Sequence, residues 1–337
     1  MAAIAYAVLA GACVFGSSGA SPPPPADASR TARVGLVVAT NSPSFRRLLS
    51  VRETRGVIVL FVQPDGPGDR AGVSAGDVIT AVDGKDMPNA EVGVVALRGH
   101  LGETKNLDVV RRDGTKKKIA VHARVPGPVD LRTLYTPRID QNPNDPLLRY
   151  LRAQADDPIG DFNKLIADLG EAIKADSQFA EARILRAERE WNMSEQRTLK
   201  PAQRVDLERR ALNDWTQGLK IDKSNTRGLS SIAQAIAISQ PAAGIRTSKK
   251  ALELDKRLPS AYYALGLGKL VSRGYADAAK AARSAIDLDP FDLRYYELLA
   301  TSFKRLKRTG DCEKTLQSVF TLFNDSREKA RLLTICS

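Results

Sequence analysis

The chain has 337 residues, of which 43% are hydrophobic, and it carries a formal net charge of +12. This length accommodates two domains of ordinary size, each with an apolar core. The basic excess is dispersed, so a solvated basic surface explains it more simply than an anionic membrane or cell-wall surface as partner. The one local cluster combines Arg111 and Arg112 with three lysines at 116–118 on an expected hairpin tip. No nucleic-acid-binding motif accompanies it, which argues against nucleic acid as a partner.

Residues 1–26 contain no charged side chain. An apolar stretch followed by small residues up to Ala20 is typical of a secretion signal that lacks its basic beginning, and we expect residues 1–20 to be one. Two alternatives stay open. In a bacterial lipoprotein signal Cys13 would carry the lipid, and in a retained anchor the apolar run would be shorter than the roughly 20 residues a spanning helix needs. All three place the remaining chain outside the cytoplasm. Residues 21–32, rich in proline, are expected to be a stiff linker.

The centre of the N-terminal half shows an uncommon succession of local signals. Val57–Val62 has the β-branched content of a strand, and residues 64–68 are dense in turn-forming Pro, Gly and Asp. A short helical turn fits residues 69–73, and a second strand fits residues 77–82, which Asp83 and Gly84 end as a tight turn. This succession resembles the PDZ domain, in the permuted form carried by HtrA-type stress proteases. The resemblance predicts a PDZ domain over residues 33–126.

The resemblance implies a peptide-binding site. Its carboxylate-binding loop would be formed by Val34, Gly35 and Leu36, whose N–H groups would hold a peptide C-terminus. The peptide would add as a strand beside Leu36, Val37 and Val38, with side chains of the long helix forming a pocket. The candidate peptide-binding residues are Val34, Gly35, Leu36, Val37, Val38, Val94 and Leu97. For Val94 and Leu97 an ordinary core position is an equal alternative. A basic insert at residues 40–55 departs from the family pattern and is expected to cover the groove or favour acidic peptides.

A linker is expected over residues 127–145, after which helical periodicity takes over. Four similar segments end in Asp176, Asp222, Asp255 and Asp289, at intervals of 46, 33 and 34 residues. The last two intervals match the 34-residue period of tetratricopeptide repeats (TPR). Residues 146–337 therefore resemble a TPR solenoid of four to five helix pairs, whose groove would recruit a partner protein. The predicted fold class is α+β multidomain, with a small β-rich PDZ domain followed by an all-α TPR solenoid.

Two further residue groups have structural explanations in the sequence. A tyrosine stripe in the last repeats (Tyr262, Tyr263, Tyr295 and Tyr296) is expected to pack between helices rather than to bind a ligand. Cys312 and Cys336 would be able to pair in an oxidising compartment. The sequence nevertheless favours Cys312 as a small packing residue and Cys336 as part of a frayed tail. No Cys/His cluster points to a metal site.

Catalytic motifs are missing from the sequence. Its only two histidines, His100 and His122, lie in the PDZ region, and it has no nucleophile elbow, P-loop or dinucleotide fingerprint. We therefore expect no catalytic residues and no cofactor. The sequence predicts a non-catalytic adaptor outside the cytoplasm, in which PDZ binds peptide C-termini and TPR recruits a second protein. The alternatives are a regulatory subunit of a membrane or secreted protease encoded by another chain, and a structural protein that holds an anionic polymer.

Overall fold

The computed structural model describes residues 32–124, 131–155, 162–196, 198–322, 332 and 334–336. These residues form two compact units. Among the described residues, the first unit spans residues 131–254. The second unit combines the β-rich residues 32–124 with the helices from Asp255 onwards. The expected signal, the lipidation candidate Cys13 and nearly all of the Pro-rich linker lie outside the described residues. Within those described, no helix is both long and apolar enough to cross a membrane.

The β-rich part has a mainly antiparallel sheet with three short helices. Its elements are β1 (Ala32–Arg33), β2 (Leu36–Thr40), α1 (Pro43–Leu49), β3 (Val57–Val62), α2 (Pro67–Arg70), β4 (Val78–Val82), β5 (Lys85–Asp86), α3 (Ala90–Ala96), β6 (Arg98–Gly99), β7 (Thr104–Val110) and β8 (Lys116–His122). The strand order is β2-β3-β4-β7-β8, with β5 on β4, while β1 and β6 pair separately. β2 is therefore an edge strand.

One apolar core supports this sheet. Val57, Val59 and Ile79 from the central strands pack with Leu107 and Val121 from the closing hairpin, and all five are almost fully buried. Helix α3 lies close to the sheet because Gly93 has no side chain. A Cβ at that position would be 3.2 Å from Val57 Cγ1. The core thus fixes α3 near β2.

The basic insert at residues 40–55 is an ordered, self-closed segment. Ser42 caps α1 by accepting a hydrogen bond from the Phe45 N–H, and Phe45 is buried. Asn41 closes the segment, since its side-chain amide donates to the carbonyls of Glu53 (2.9 Å) and Arg55 (3.2 Å). The insert thus has a small core and closing contacts of its own.

The remaining chain is helical. The first unit contains α4 (Leu131–Gln141), α5 (Pro146–Ala155), α6 (Phe162–Ala175), α7 (Ala180–Ser194), α8 (Pro201–Ile221), α9 (Thr226–Ile236) and α10 (Pro241–Leu254). The second contains α11 (Pro259–Val271), α12 (Tyr275–Leu288), α13 (Leu293–Arg305) and α14 (Thr309–Leu322). In the described part of the chain, α5 to α14 pack as five successive helix pairs. The whole of α4 lies where a linker was expected. Tyr135 and Ile139, one helical turn apart, are both buried and hold this otherwise polar helix in place.

The four repeat aspartates perform the same local task. Each accepts a hydrogen bond through Oδ1 from the N–H two residues later, at 2.8 to 3.0 Å. Such an Asx turn begins the reversal between one helix pair and the next. The aspartates found at repeat spacing are therefore the turn residues of a structural repeat.

The cysteine interpretation favoured by the sequence is wrong. Cys312 is fully buried on α14 and is disulfide-bonded to Cys336, with their Cα atoms 5.9 Å apart. The bond crosses 24 residues of sequence. Sequence spacing alone did not show that the chain returns to α14.

Candidate peptide-binding groove

The loop before β2 has the geometry of an anion-binding nest. Gly35 has φ +71°, in the left-handed region that favours glycine. The Val34 and Gly35 carbonyls accept hydrogen bonds from the N–H groups of Gly68 and Gln63, both at 2.8 Å. Among the described residues, the N–H groups of Val34 and Gly35 donate no backbone hydrogen bond outside the helices and strands. The loop is held through its carbonyls, which leaves adjacent N–H groups for an anion.

The outer edge of β2 is available for another strand. Val38 lies opposite Val59, whose N–H and C=O are both engaged on the β4 side, with Asp77 O and Gly76 N–H at 2.8 Å. Val38 and Val59 are therefore a non-hydrogen-bonded pair, so the Val38 main-chain groups point away from the sheet. The Gln63 N–H bond to Gly35 O gives Leu36 the same orientation. Val37, between them, directs its main-chain groups towards β3.

Helix α3 forms the other side of the groove. Thr40, at the end of β2, accepts a hydrogen bond through Oγ1 from the Ala90 N–H at 3.0 Å, which ties the strand to the start of the helix. Val94 is half-buried, whereas Leu97 is only 5% exposed and belongs to the core. The structure therefore brings loop, strand and helix together, with Val94 the more accessible of the two helix candidates.

The side chains of the loop and strand differ in exposure. Val34 is 1% exposed and part of the core, so it offers a ligand its backbone only. Leu36 and Val38 are partly buried against the same core. Leu36 also packs over Gly68, where a Cβ would be 2.6 Å from Leu36 Cδ2. Leu36 and Val38 thus combine outward main-chain groups with partly accessible apolar side chains.

Two arginines beside the loop make its surroundings positive. Arg33 and Arg98 face each other across the β1–β6 ladder, next to Val34. Partial desolvation, and then the charge of Arg98, lower the pKa of the Arg33 guanidinium, which stays protonated at neutral pH. An anion bound nearby would relieve this repulsion between like charges. Neither arginine was predicted to belong to the site, although Arg33 directly precedes the loop.

Helix α3 also has contacts that the sequence did not reveal. The Asn89 side-chain amide donates to Asp255 Oδ2 (2.6 Å) and to the Arg257 carbonyl (2.9 Å). The Glu91 carboxylate accepts hydrogen bonds from the N–H and the Oγ–H of Ser260, at 3.0 and 2.5 Å. The same helix therefore borders the groove and contacts the start of α11.

The helical region contains a charged cleft between α4, α5 and α6. Asp168, which is 5% exposed, lies at its base and receives hydrogen bonds from Arg152 Nε (2.7 Å) and Nη2 (2.6 Å). Arg149 approaches the same carboxylate at 3.4 Å. The lining residues are Arg132, Thr136, Arg149, Arg152, Lys164, Ala167, Asp168 and Glu171.

In the last repeats, Tyr263 and Tyr295 pack against each other with ring centroids 5.5 Å apart, and both are buried.

Comparison with known proteins identifies the N-terminal part. Residues 58–111 match the PDZ domain family. A probable periplasmic serine endoprotease, DegP-like, from Rickettsia conorii is 39% identical over 56 residues, covering 17% of this chain and 11% of that protein. The magnetosome formation protease MamE of Paramagnetospirillum magneticum is 35% identical over 109 residues, covering 31% of this chain and 14% of that protein. The chain thus spans only a small part of the length of these curated relatives.

Among solved structures, a thermophilic TPR protein from Thermus thermophilus is similar to the helical part. It has a TM-score of 0.45 and 17% identity, over 51% of this chain and 88% of that chain. The helical part has a TPR-like fold by three features of its own: the 34-residue sequence period, the repeated Asx turns and the paired helices. The chain is therefore built from two modules. It joins a PDZ domain to a TPR-like helical repeat, which confirms the predicted fold class.

Proposed function

We propose that this chain is a non-catalytic adaptor whose PDZ domain captures peptide C-termini and whose TPR-like region recruits a second protein. The observation that carries the proposal is the open edge of β2 beside the Val34–Gly35 nest. Outward main-chain groups at Leu36 and Val38 provide the hydrogen bonds of an added strand. The nest and the two neighbouring arginines provide a site for the terminal carboxylate. Partly buried apolar side chains provide selectivity for an apolar last residue.

The direct test is binding of the full chain to a random peptide library with free C-termini, beside an amidated copy of the same library. We expect a C-terminal motif with an apolar last residue, and loss of binding on amidation because the nest then faces a neutral group. Equal binding of both libraries would contradict carboxylate recognition. It would leave the helical region as the main interaction surface.

We propose that the protein works outside the cytoplasm. A disulfide between Cys312 and Cys336 is stable in oxidising compartments and rare in reducing ones. The DegP-like relative is described as periplasmic. Fractionation of the native host, with the thiol state of Cys312 and Cys336 measured by alkylation, tests this location. Recovery of the full-length, reduced protein in the cytosol would contradict it.

A regulatory role towards a protease is the second candidate. It is favoured by the similarity to two proteins described as proteases, which this chain matches in its PDZ region. In this role the PDZ groove or the helical region would bind a protease encoded by another chain. Capture of a hydrolase by the full chain, with a change of its activity on mixing, would support this role over that of a general adaptor.

A further inference from the structure

We propose that the helices after residue 255 position the groove helix α3, so that peptide binding and the stability of α11 are coupled. This inference rests on the proposed peptide-binding function and adds a means of regulating it. The α3–α11 contact is defined as the hydrogen bonds that Asn89 donates to Asp255 and Arg257 and those that Glu91 accepts from Ser260. Three observations carry the inference: a shared cap, a missing cap, and the shortness of α3.

The shared cap is Asn89. Its Oδ1 accepts a hydrogen bond from the Val92 N–H at 3.0 Å, which caps the N-terminus of α3. Its Nδ2 donates to Asp255 Oδ2 and to the Arg257 carbonyl. Asp255 uses its other oxygen for the repeat turn. The buried Asn89 side chain thus forms hydrogen bonds both to the groove helix and to a repeat turn.

The missing cap is at α11. Three residues after the repeat aspartates, Asn225 and Asp292 cap α9 and α13 with their own side chains. At the same position before α11 stands Leu258, whose side chain has no acceptor. Phe179, at this position before α7, has none either. In the first turn of α11, Pro259 has no N–H, and the N–H groups of Ala261 and Tyr262 donate to the Leu258 carbonyl. The Ser260 N–H takes its acceptor from another element. Glu91 supplies it by accepting from both the N–H and the Oγ–H of Ser260. Helix α3 therefore caps α11.

A further contact lies just after α3. It is made by Arg98, the first residue of β6. Its guanidinium lies 5.2 Å from the ring centroid of Phe291, which follows the next repeat aspartate. The face of α3 that includes Gly93 and Leu97 packs on the PDZ core. The groove helix thus lies between the PDZ core and the repeat turn at Asp255, while Arg98 just after it contacts the next repeat turn.

The shortness of α3 makes this support significant. A seven-residue helix has little stability of its own, so tertiary contacts decide its position. The contact at Glu91 is reciprocal, because the same carboxylate that holds α3 in place also caps α11. A peptide that binds between β2 and α3 and requires the docked position of α3 must then stabilise α11 by the same free energy.

The test compares the full chain with three variants and a control. Asn89→Ser keeps a capping oxygen for Val92 but lacks the amide that reaches residues 255 and 257. Glu91→Ala removes the acceptor for Ser260, and Glu91→Gln restores an oxygen without the charge. We expect Asn89→Ser and Glu91→Ala each to weaken binding of a free-carboxylate peptide about fivefold to tenfold, with recovery in Glu91→Gln. The matched control is Asp86→Ala, an exposed carboxylate on β5, which should bind as the parent chain does.

Amide hydrogen exchange supplies a readout that needs no peptide. In the ligand-free Glu91→Ala variant, we expect faster exchange at the first turn of α11, from Ser260 to Tyr262. Saturating peptide should slow exchange there in the parent chain and much less in the variant. Unchanged exchange in the ligand-free variant would overturn the inference. Stronger peptide binding in Asn89→Ser or Glu91→Ala would also overturn it, because the contact would then hold the groove closed.

The two proposals fail in different ways. If no peptide binds the parent chain, the carboxylate-reading function is wrong, while the exchange difference at α11 still tests the α3–α11 contact. If peptides bind and the variants match the parent chain in affinity and exchange, the function stands and the coupling is wrong.

Discussion

Cys312, fully buried on α14, is covalently joined to Cys336, which lies 24 residues further along the chain. Helices α13 and α14 form the last helix pair in the described part of the chain. The disulfide links Cys336 to the buried side of α14.

Reduction should therefore destabilise the second unit. Closing a loop of this length contributes about 3 kcal/mol to the free energy of unfolding in the chain-entropy description. We expect denaturant unfolding to begin at lower concentration when a reductant is present. The control is Cys336→Ser, which leaves the buried Cys312 in place and should unfold alike with and without reductant. An unchanged midpoint for the reduced parent chain would show that the disulfide adds no stability.

Alanine substitutions at Gly35 and Gly84 distinguish the effect of backbone strain on stability from the effect of losing the anion site on peptide binding. Gly35 and Gly84 both have positive φ, +71° and +76°, so alanine at either position should cost about 1 kcal/mol of stability. Only at Gly35 does the strain act on the nest. A Cβ there would also be 3.2 Å from Pro67 Cδ, whereas nothing lies within 4 Å at Gly84. We expect Gly35→Ala, and not Gly84→Ala, to weaken peptide binding roughly tenfold, the effect of one lost charge-assisted hydrogen bond. Fluorescence anisotropy with one labelled peptide measures both variants.

We expect Asp168, at the base of the charged cleft in the first unit, to stabilise the fold. Asp168 is buried and pairs with Arg149 and Arg152, whose side chains are 18% and 20% exposed. Asp168→Asn leaves two arginines without a counter-charge, and we expect a loss of about 2–3 kcal/mol, limited by the access of water to the arginines. Glu171→Gln, on the same helix but half-exposed, should change stability by less than about 0.5 kcal/mol. Equal losses in urea unfolding would contradict this assignment.

Glu190 predicts a pH dependence of stability. It is 3% exposed on α7, and burial raises the pKa of its carboxyl to about 7, although Arg210 lies 3.1 Å away. In the unfolded chain the same group ionises near pH 4.5. Between these values the folded state holds the extra proton, so stability is full below pH 4.5 and declines as pH rises to about 7.

Glu190→Gln isolates this group from the other carboxyls. Glutamine does not titrate, so the parent chain should lose about 2–3 kcal/mol relative to the variant between pH 4.5 and pH 7.5. Urea unfolding of both proteins at the two pH values measures the difference. A parallel pH response of the two proteins would show that Glu190 does not ionise differently in the folded state.

Much of the fold could be predicted from local patterns. The strand Val57–Val62, the turns after it and the repeat aspartates depend on residues close in sequence, and period and turn chemistry report such features directly. The nest at Gly35 was predicted by its place in the family pattern. Helix α4 was missed because its support comes from two buried side chains in an otherwise polar segment.

The contacts around α3 could not be predicted in this way. Asn89 and Glu91 look like an ordinary cap and an ordinary first-turn acid, and nothing near them in sequence indicates a second partner. Only the apolar residue at the cap position of α11, Leu258, hinted at an acceptor from elsewhere. The pairing of Cys312 with Cys336 likewise depends on where a distant segment returns. Such long-range contacts are set by the packing of whole elements rather than by local propensity.

The α3–α11 contact joins residues that are 166 to 169 positions apart. During synthesis the PDZ segment therefore emerges well before its helical support, and the whole first unit is made in between. Contacts between residues so far apart in sequence form late, and they reduce the folding rate. The reason is that a long loop must close, at a cost in entropy, before such a contact can stabilise the fold. A nascent or truncated chain that stops before Asp255 lacks the partners of Asn89 and Glu91, so its groove helix keeps only the contacts within the β-rich part.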